Sequence, residues 1–89
     1  MTTLVNMNRT RIFDVRIDRG TLWGNPFIVG RDGTREECIE KWRRRFHERL
    51  KNDPEFYQAT LALRGLVLAC WCVPDLACHG EIIVRWLDG

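Results

Sequence analysis

The sequence predicts a small α/β domain of about three strands, including a parallel pair, and about three helices in the order β-β-α-α-β-α. Three observations carry that prediction. Residues 66–72 form an unbroken apolar run bounded by Gly65 and Pro74, the pattern of a central strand covered on both faces. Downstream of Thr34 the apolar residues recur at helical spacing, and Asn52-Asp53-Pro54 ends one helix and starts another. A strand before those helices and a strand after them then imply a crossover connection, which makes the two strands parallel.

In chain order, residues 2–7 are short and mildly apolar, and 11–17 alternates Phe13, Val15 and Ile17 with Asp14 and Arg16, as a half-exposed strand does. The segment 18–33 is broken by Gly20, Gly24, Pro26, Gly30 and Gly33, and a loop this long in a small domain points to function. Thr34 with Glu37 makes a capping box, opening a helix to about residue 51 whose buried stripe is Ile39, Trp42, Phe46 and Leu50. Cys38 lies beside that stripe as a small buried apolar residue. Glu40, Lys41, Arg44, Glu48 and Lys51 form its solvated face. The second helix buries Phe56, Ala59, Leu61 and Leu63, and Gly65 is its left-handed terminus. A last helix, 81–87, turns Ile82, Ile83, Trp86 and Leu87 inward.

Bulk properties narrow the function. The 89 residues are read as one domain, 1–89, in which charged residues make up 29%, apolar ones 45%, and the net charge is +2. That balance gives no strong nucleic-acid signal, because Arg43, Arg44 and Arg45 spread around a helix turn instead of forming a stripe. No stretch approaches the roughly 20 apolar residues that span a bilayer, and the start lacks a signal-peptide pattern, so a cytoplasmic location without membrane partners is expected. There the four cysteines are expected as thiols or metal ligands. A chain this short buries only about 60 to 65% of its unfolded surface, so a homo-oligomer or a bound ligand would add stability.

The candidate site gathers at 65–80. On a strand, Cys70 and Cys72 share one face and Trp71 takes the other; the chain then turns at Pro74 and restarts as a helix after Cys78-His79-Gly80. Ligands of such sheets sit beyond the carboxyl ends of the strands, where the 18–33 loop and the Cys-His segment should meet. Three chemistries fit. A phosphate-bearing ligand, foremost a nucleotide, would use helix-start N–H groups around Cys78, His79 and Gly80, with Arg31 and Arg35 on phosphate, Trp23 stacking a base and Asn25 reading its edge. A thiol enzyme of nucleotide metabolism would activate Cys72 or Cys78 with His79 as the catalytic pair. A zinc-stabilised interaction module would ligate through Cys70, Cys72, Cys78 and His79, although two adjacent ligands and two on a strand depart from usual zinc spacing. The preferred reading is the ligand binder, with no cofactor and with zinc as the alternative.

Three motifs, Trp23-Gly24-Asn25-Pro26-Phe27, then Gly30-Arg31-Asp32-Gly33-Thr34-Arg35-Glu36, then Leu68-Ala69-Cys70-Trp71-Cys72 with Cys78-His79-Gly80, resemble a small domain family of unknown function, number 4326, found largely in bacteriophages and their bacterial hosts. The resemblance spans most of the chain, and the acidic residue that follows the family's glycine is Glu81 here. It implies a phage-type protein, resident in host cytoplasm if phage-encoded, with a motif-bearing pocket. It names no reaction.

Overall fold

A computed structural model of the chain describes residues 1–71 and 78–89. The elements are β1 (Thr3–Asn6), β2 (Val15–Arg16), α1 (Arg35–Asn52), α2 (Pro54–Leu61), β3 (Val67–Cys70) and α3 (Gly80–Asp88), in the expected order. The sheet runs β1-β3-β2, and both outer strands are parallel to β3. Leu4 and Val15 flank Leu68, while Val5 and Arg16 flank Ala69.

That register separates two faces. Leu4, Val15, Ile17, Leu68 and Cys70 all join one core cluster with Trp42 and Phe46 of α1, Phe56 of α2, and Ile83 and Leu87 of α3. All three helices therefore pack on this face. The expectation of a strand covered on both faces is met only in part, because the second face carries buried Ala69 but also exposed Arg16 and Trp71, which is 50% exposed. The architecture is a two-layer sandwich of sheet and helices.

The second strand is shorter than the alternation of 11–17 suggests. Asp14 explains this: its N–H donates to Val67 O (2.8 Å), but its carboxylate then accepts from Val67 N–H (2.7 Å), replacing a carbonyl of the ladder. Beyond β2, Ile17 N–H still reaches Ala69 O at 2.9 Å, which brings the chain to the carboxyl edge in register.

The helices follow their caps. Thr34 Oγ1 accepts from Glu37 N–H (3.2 Å) and Glu37 Oε1 accepts from Thr34 N–H (3.0 Å), closing the capping box. Asp53 ends α1 by donating its N–H to Arg49 O and starts α2 by accepting from Phe56 N–H, which lets Pro54 sit at the first position without a missing bond. Trp42 and Phe46 are buried as expected and stack with centroids 4.7 Å apart. Ile39 departs from the core stripe and faces the cavity described below. Thr60 is fully buried, its hydroxyl bonded to Phe56 O at 2.7 Å. α2 stops at Leu61, and Gly65 (φ +81°) belongs to the turn that feeds β3 instead of capping the helix directly.

Candidate functional site

The site begins with the loop after β2. A Cβ on Gly24 would lie 2.6 Å from Asp18 O and 2.8 Å from Arg19 Cα, so only glycine allows the loop to fold back onto its own start. Asn25 then holds the returning strand of the loop. Its Oδ1 accepts from Phe27 N–H (2.9 Å), and its Nδ2 donates to Cys38 O in the first turns of α1 (3.3 Å). Arg19 Nη2 reaches Phe27 O at 3.3 Å, closing the loop from the other side.

Asp18 is buried where β2 gives way to this loop. Arg16 grips its two oxygens at 3.0 and 2.6 Å, and Trp71 Nε1 donates to it at 2.9 Å. The Arg16 hydrogen bonds hold its carboxyl below the usual aspartate range, against the opposing effect of burial. Asp18 is thereby a fixed, ionised strut between β2 and the segment after β3.

The facing wall is sulfur and imidazole. Cys70 ends β3, Cys78 precedes α3, and their Sγ atoms are 3.4 Å apart, both buried. His79, 7% exposed, places Nε2 2.7 Å from Ile17 O and Nδ1 3.7 Å from Cys78 Sγ. A carbonyl only accepts, so Nε2 carries the proton and Nδ1 turns a lone pair toward the thiol. Burial pushes the His79 pKa down, favouring this neutral form. Trp42 packs against the imidazole at 5.0 Å, and Gly80 N–H donates to Cys78 Sγ at 3.4 Å.

Between the walls lies a cavity of about 200 Å³ beyond the carboxyl ends of β2 and β3. Asn25, Arg35, Cys70, Cys78 and His79, all expected at the site, line it, together with Asp18, Arg19, Phe27, Cys38 and Trp71. Three other expectations fall elsewhere. Trp23 packs against the core, donating from Nε1 to Thr60 Oγ1 (3.1 Å) while its carbonyl accepts from Trp42 Nε1 (3.1 Å), so it supports the loop from beneath. Arg31 pairs with its neighbour Asp32 at the surface and does not reach the cavity wall. Gly80 lies buried under the site, where a Cβ would meet Ile17 Cδ1 at 2.7 Å.

The helix-start N–H groups are also engaged. Gly80 N–H bonds sulfur, Glu81 N–H bonds Cys78 O, and Ile82 N–H bonds His79 O, so positive charge at the cavity comes from arginine instead. Cys72, the remaining candidate nucleophile and zinc ligand, lies outside the described residues. Among the described residues no group of three or more His, Cys, Asp or Glu side chains is arranged to hold a metal ion. Asp18 and Arg19 escaped the sequence reading; the available signal was two charged residues directly after an alternating strand, at the edge where ligands bind.

Comparison with known proteins places this geometry in a family. The family model described as "Domain of unknown function (DUF4326)" matches residues 5–89. The chain belongs to this family. To the DUF4326 assignment is added a phage relative, the "Uncharacterized 12.4 kDa protein in nrdA-td intergenic region" of Enterobacteria phage T4, which is 49% identical over 75 residues. The match covers 82% of this chain and 66% of that protein, so the chain spans a little under two thirds of the relative's length. No solved structure matches. No helix among the described residues is long and apolar enough to cross a membrane.

Proposed function

We propose that this DUF4326 chain binds a small phosphate-bearing molecule, foremost a nucleotide, in the cavity between the loop and the β3–α3 segment. The observation that carries the reading is convergence: Asn25 and Phe27 of the loop and Arg35 at the start of α1 line one cavity with Cys70, Cys78 and His79, which lie more than thirty residues further along the chain. Arg19 and Arg35 supply the positive charge that a phosphate requires, and Phe27, Val29 and Ile39 supply an apolar wall. At about 200 Å³ the cavity is smaller than the roughly 300 to 1,000 Å³ that encloses a drug-sized ligand, so it takes one phosphoryl group or one ring and leaves the rest outside. Asn25 and His79 act as positioning groups in this reading, since their polar atoms already have protein partners. In a phage setting, such a binder serves to withdraw a signal nucleotide from the host cytoplasm.

The test is a screen of mononucleotides, cyclic nucleotides and dinucleotides by thermal shift and calorimetry, followed by Arg35→Ala. Loss of one charge-assisted contact of about 1.5 to 3 kcal/mol is expected to weaken binding by roughly tenfold to a hundredfold. A full nucleotide screen without a binder, or unchanged affinity in Arg35→Ala, would refute the reading.

A further inference from the structure

The phosphate reading gives the buried sulfur pair no chemical task, yet the pair is arranged as a reactive unit. Cys70 Sγ and Cys78 Sγ lie 3.4 Å apart, and closing to the roughly 2.05 Å of a disulfide is a short movement for two side chains at the end of a strand and the start of a helix. The sulfurs differ in their surroundings. Cys78 faces the Nδ1 lone pair of His79 at 3.7 Å and accepts the Gly80 N–H at 3.4 Å, at the start of the nine-residue helix α3. A nearby base, an N–H donor and a helix start all favour a thiolate. His79 is fixed for that role because Ile17 O takes its other ring nitrogen at 2.7 Å. Both thiols are buried within the protein but line the cavity, so only a small reagent can reach them.

We propose that Cys70 and Cys78 are a dithiol–disulfide couple that exchanges with small, anionic disulfides entering the cavity. Cys78 is the attacking thiol and Cys70 the resolving one. In the first step His79 Nδ1 takes the Cys78 proton; the thiolate attacks one sulfur of the small disulfide, whose S–S bond breaks, and the departing thiolate receives that proton. In the second, Cys70 loses its proton and attacks Cys78 Sγ in the mixed disulfide. The Cys70–Cys78 bond forms as the second small thiolate leaves and is protonated. Two electrons and two protons pass from the protein dithiol to the small disulfide, so the balance closes. Arg19 and Arg35 in the cavity wall favour a carboxylate-bearing reagent, and the cavity admits only a small one, which makes the symmetrical disulfide of 3-mercaptopropionate the apt probe. The inference is independent of the nucleotide reading.

The experiment incubates the folded, reduced chain with the disulfide of 3-mercaptopropionate near neutral pH, quenches with acid, alkylates the remaining thiols and maps peptides by mass. The wild-type chain should lose two hydrogens and join the Cys70 and Cys78 peptides. Cys70→Ser should instead stop at one 3-mercaptopropionate on Cys78, and Cys38→Ser should behave as wild type although Cys38 also lines the cavity. His79→Gln should slow the first step by roughly tenfold or more, with the loss shrinking as pH rises and the thiol ionises unaided. Native circular dichroism checks each variant, and the wild-type map needs no variant at all. A bond to Cys72 or Cys38, an adduct on Cys70 in place of Cys78, or four thiols still alkylated in the wild type would each overturn the proposal.

Discussion

The two walls of the cavity satisfy their polar groups in opposite ways. On the loop wall the partners are hard and close: Asn25 is bonded at both ends of its amide, and Asp18 is clamped by Arg16 and Trp71. On the β3–α3 wall, longer contacts to sulfur join Cys70, Cys78, His79 and Gly80, and each can change with protonation or oxidation. The first wall sets shape; the second holds the groups whose chemical state can vary. The glycines repeat the contrast, because Gly24 touches backbone while Gly80 touches the tips of side chains.

The largest effect should come from Gly24→Ala. Its methyl would enter the space of Asp18 O and Arg19 Cα, which move only if the loop moves, so a loss of about 2 to 3 kcal/mol is expected in urea unfolding. A loss below about 1 kcal/mol would show that the loop wall yields freely. Gly80→Ala should cost less. Its methyl meets Ile17 Cδ1 and Leu4 Cδ1, terminal atoms that can rotate, and alanine recovers up to about 1 kcal/mol of helix propensity, leaving a net loss of about 1 kcal/mol. Equal losses for the two variants would erase the distinction between the walls.

The smallest expected change is in pH dependence. His79 has a folded pKa below its ordinary 6.5, so the unfolded chain binds a proton first. Stability from the neutral imidazole is complete above about 6.5 and falls as pH drops toward the folded value. Asp18 is also depressed, but from 3.8, so its contribution holds through that window and is lost only below about 3.8. Denaturant midpoints for wild type and His79→Gln between pH 7 and pH 5 should therefore diverge in slope, with the variant flatter. Parallel curves would mean that the imidazole is as easily charged folded as unfolded.

Much of the scaffold was legible because its signals are local. Thr34 with Glu37, and Asp53 with Phe56 across Pro54, bond within one turn, so sequence spacing alone locates two helix starts. The meeting of the loop with Cys78 and His79 was legible from topology. What escaped depended on distant partners. Trp23 reads equally well as a stacking platform or a plug until Thr60 and Trp42 claim its polar atoms, and Asp14 looks like a strand residue until its carboxylate caps Val67. Asp18 showed only its charge and a neighbouring Arg16, since Trp71, fifty-three residues away, meets it only through folding of the chain.

The strand order β1-β3-β2 has a consequence for how the chain acquires its structure. β1 and β2 are neighbours in sequence but never pair with each other, and each finds its hydrogen-bonding partner only in β3, with Thr3 opposite Val67 and Val15 opposite Leu68. Among the described residues no strand pairing is possible without β3, which follows both helices of the crossover in the chain. Every pairing in the sheet is therefore non-local and must offset the entropy of closing a long loop, the kind of topology that slows folding. Because Cys70 ends that same strand, the cavity cannot exist in any partly folded chain that lacks the sheet.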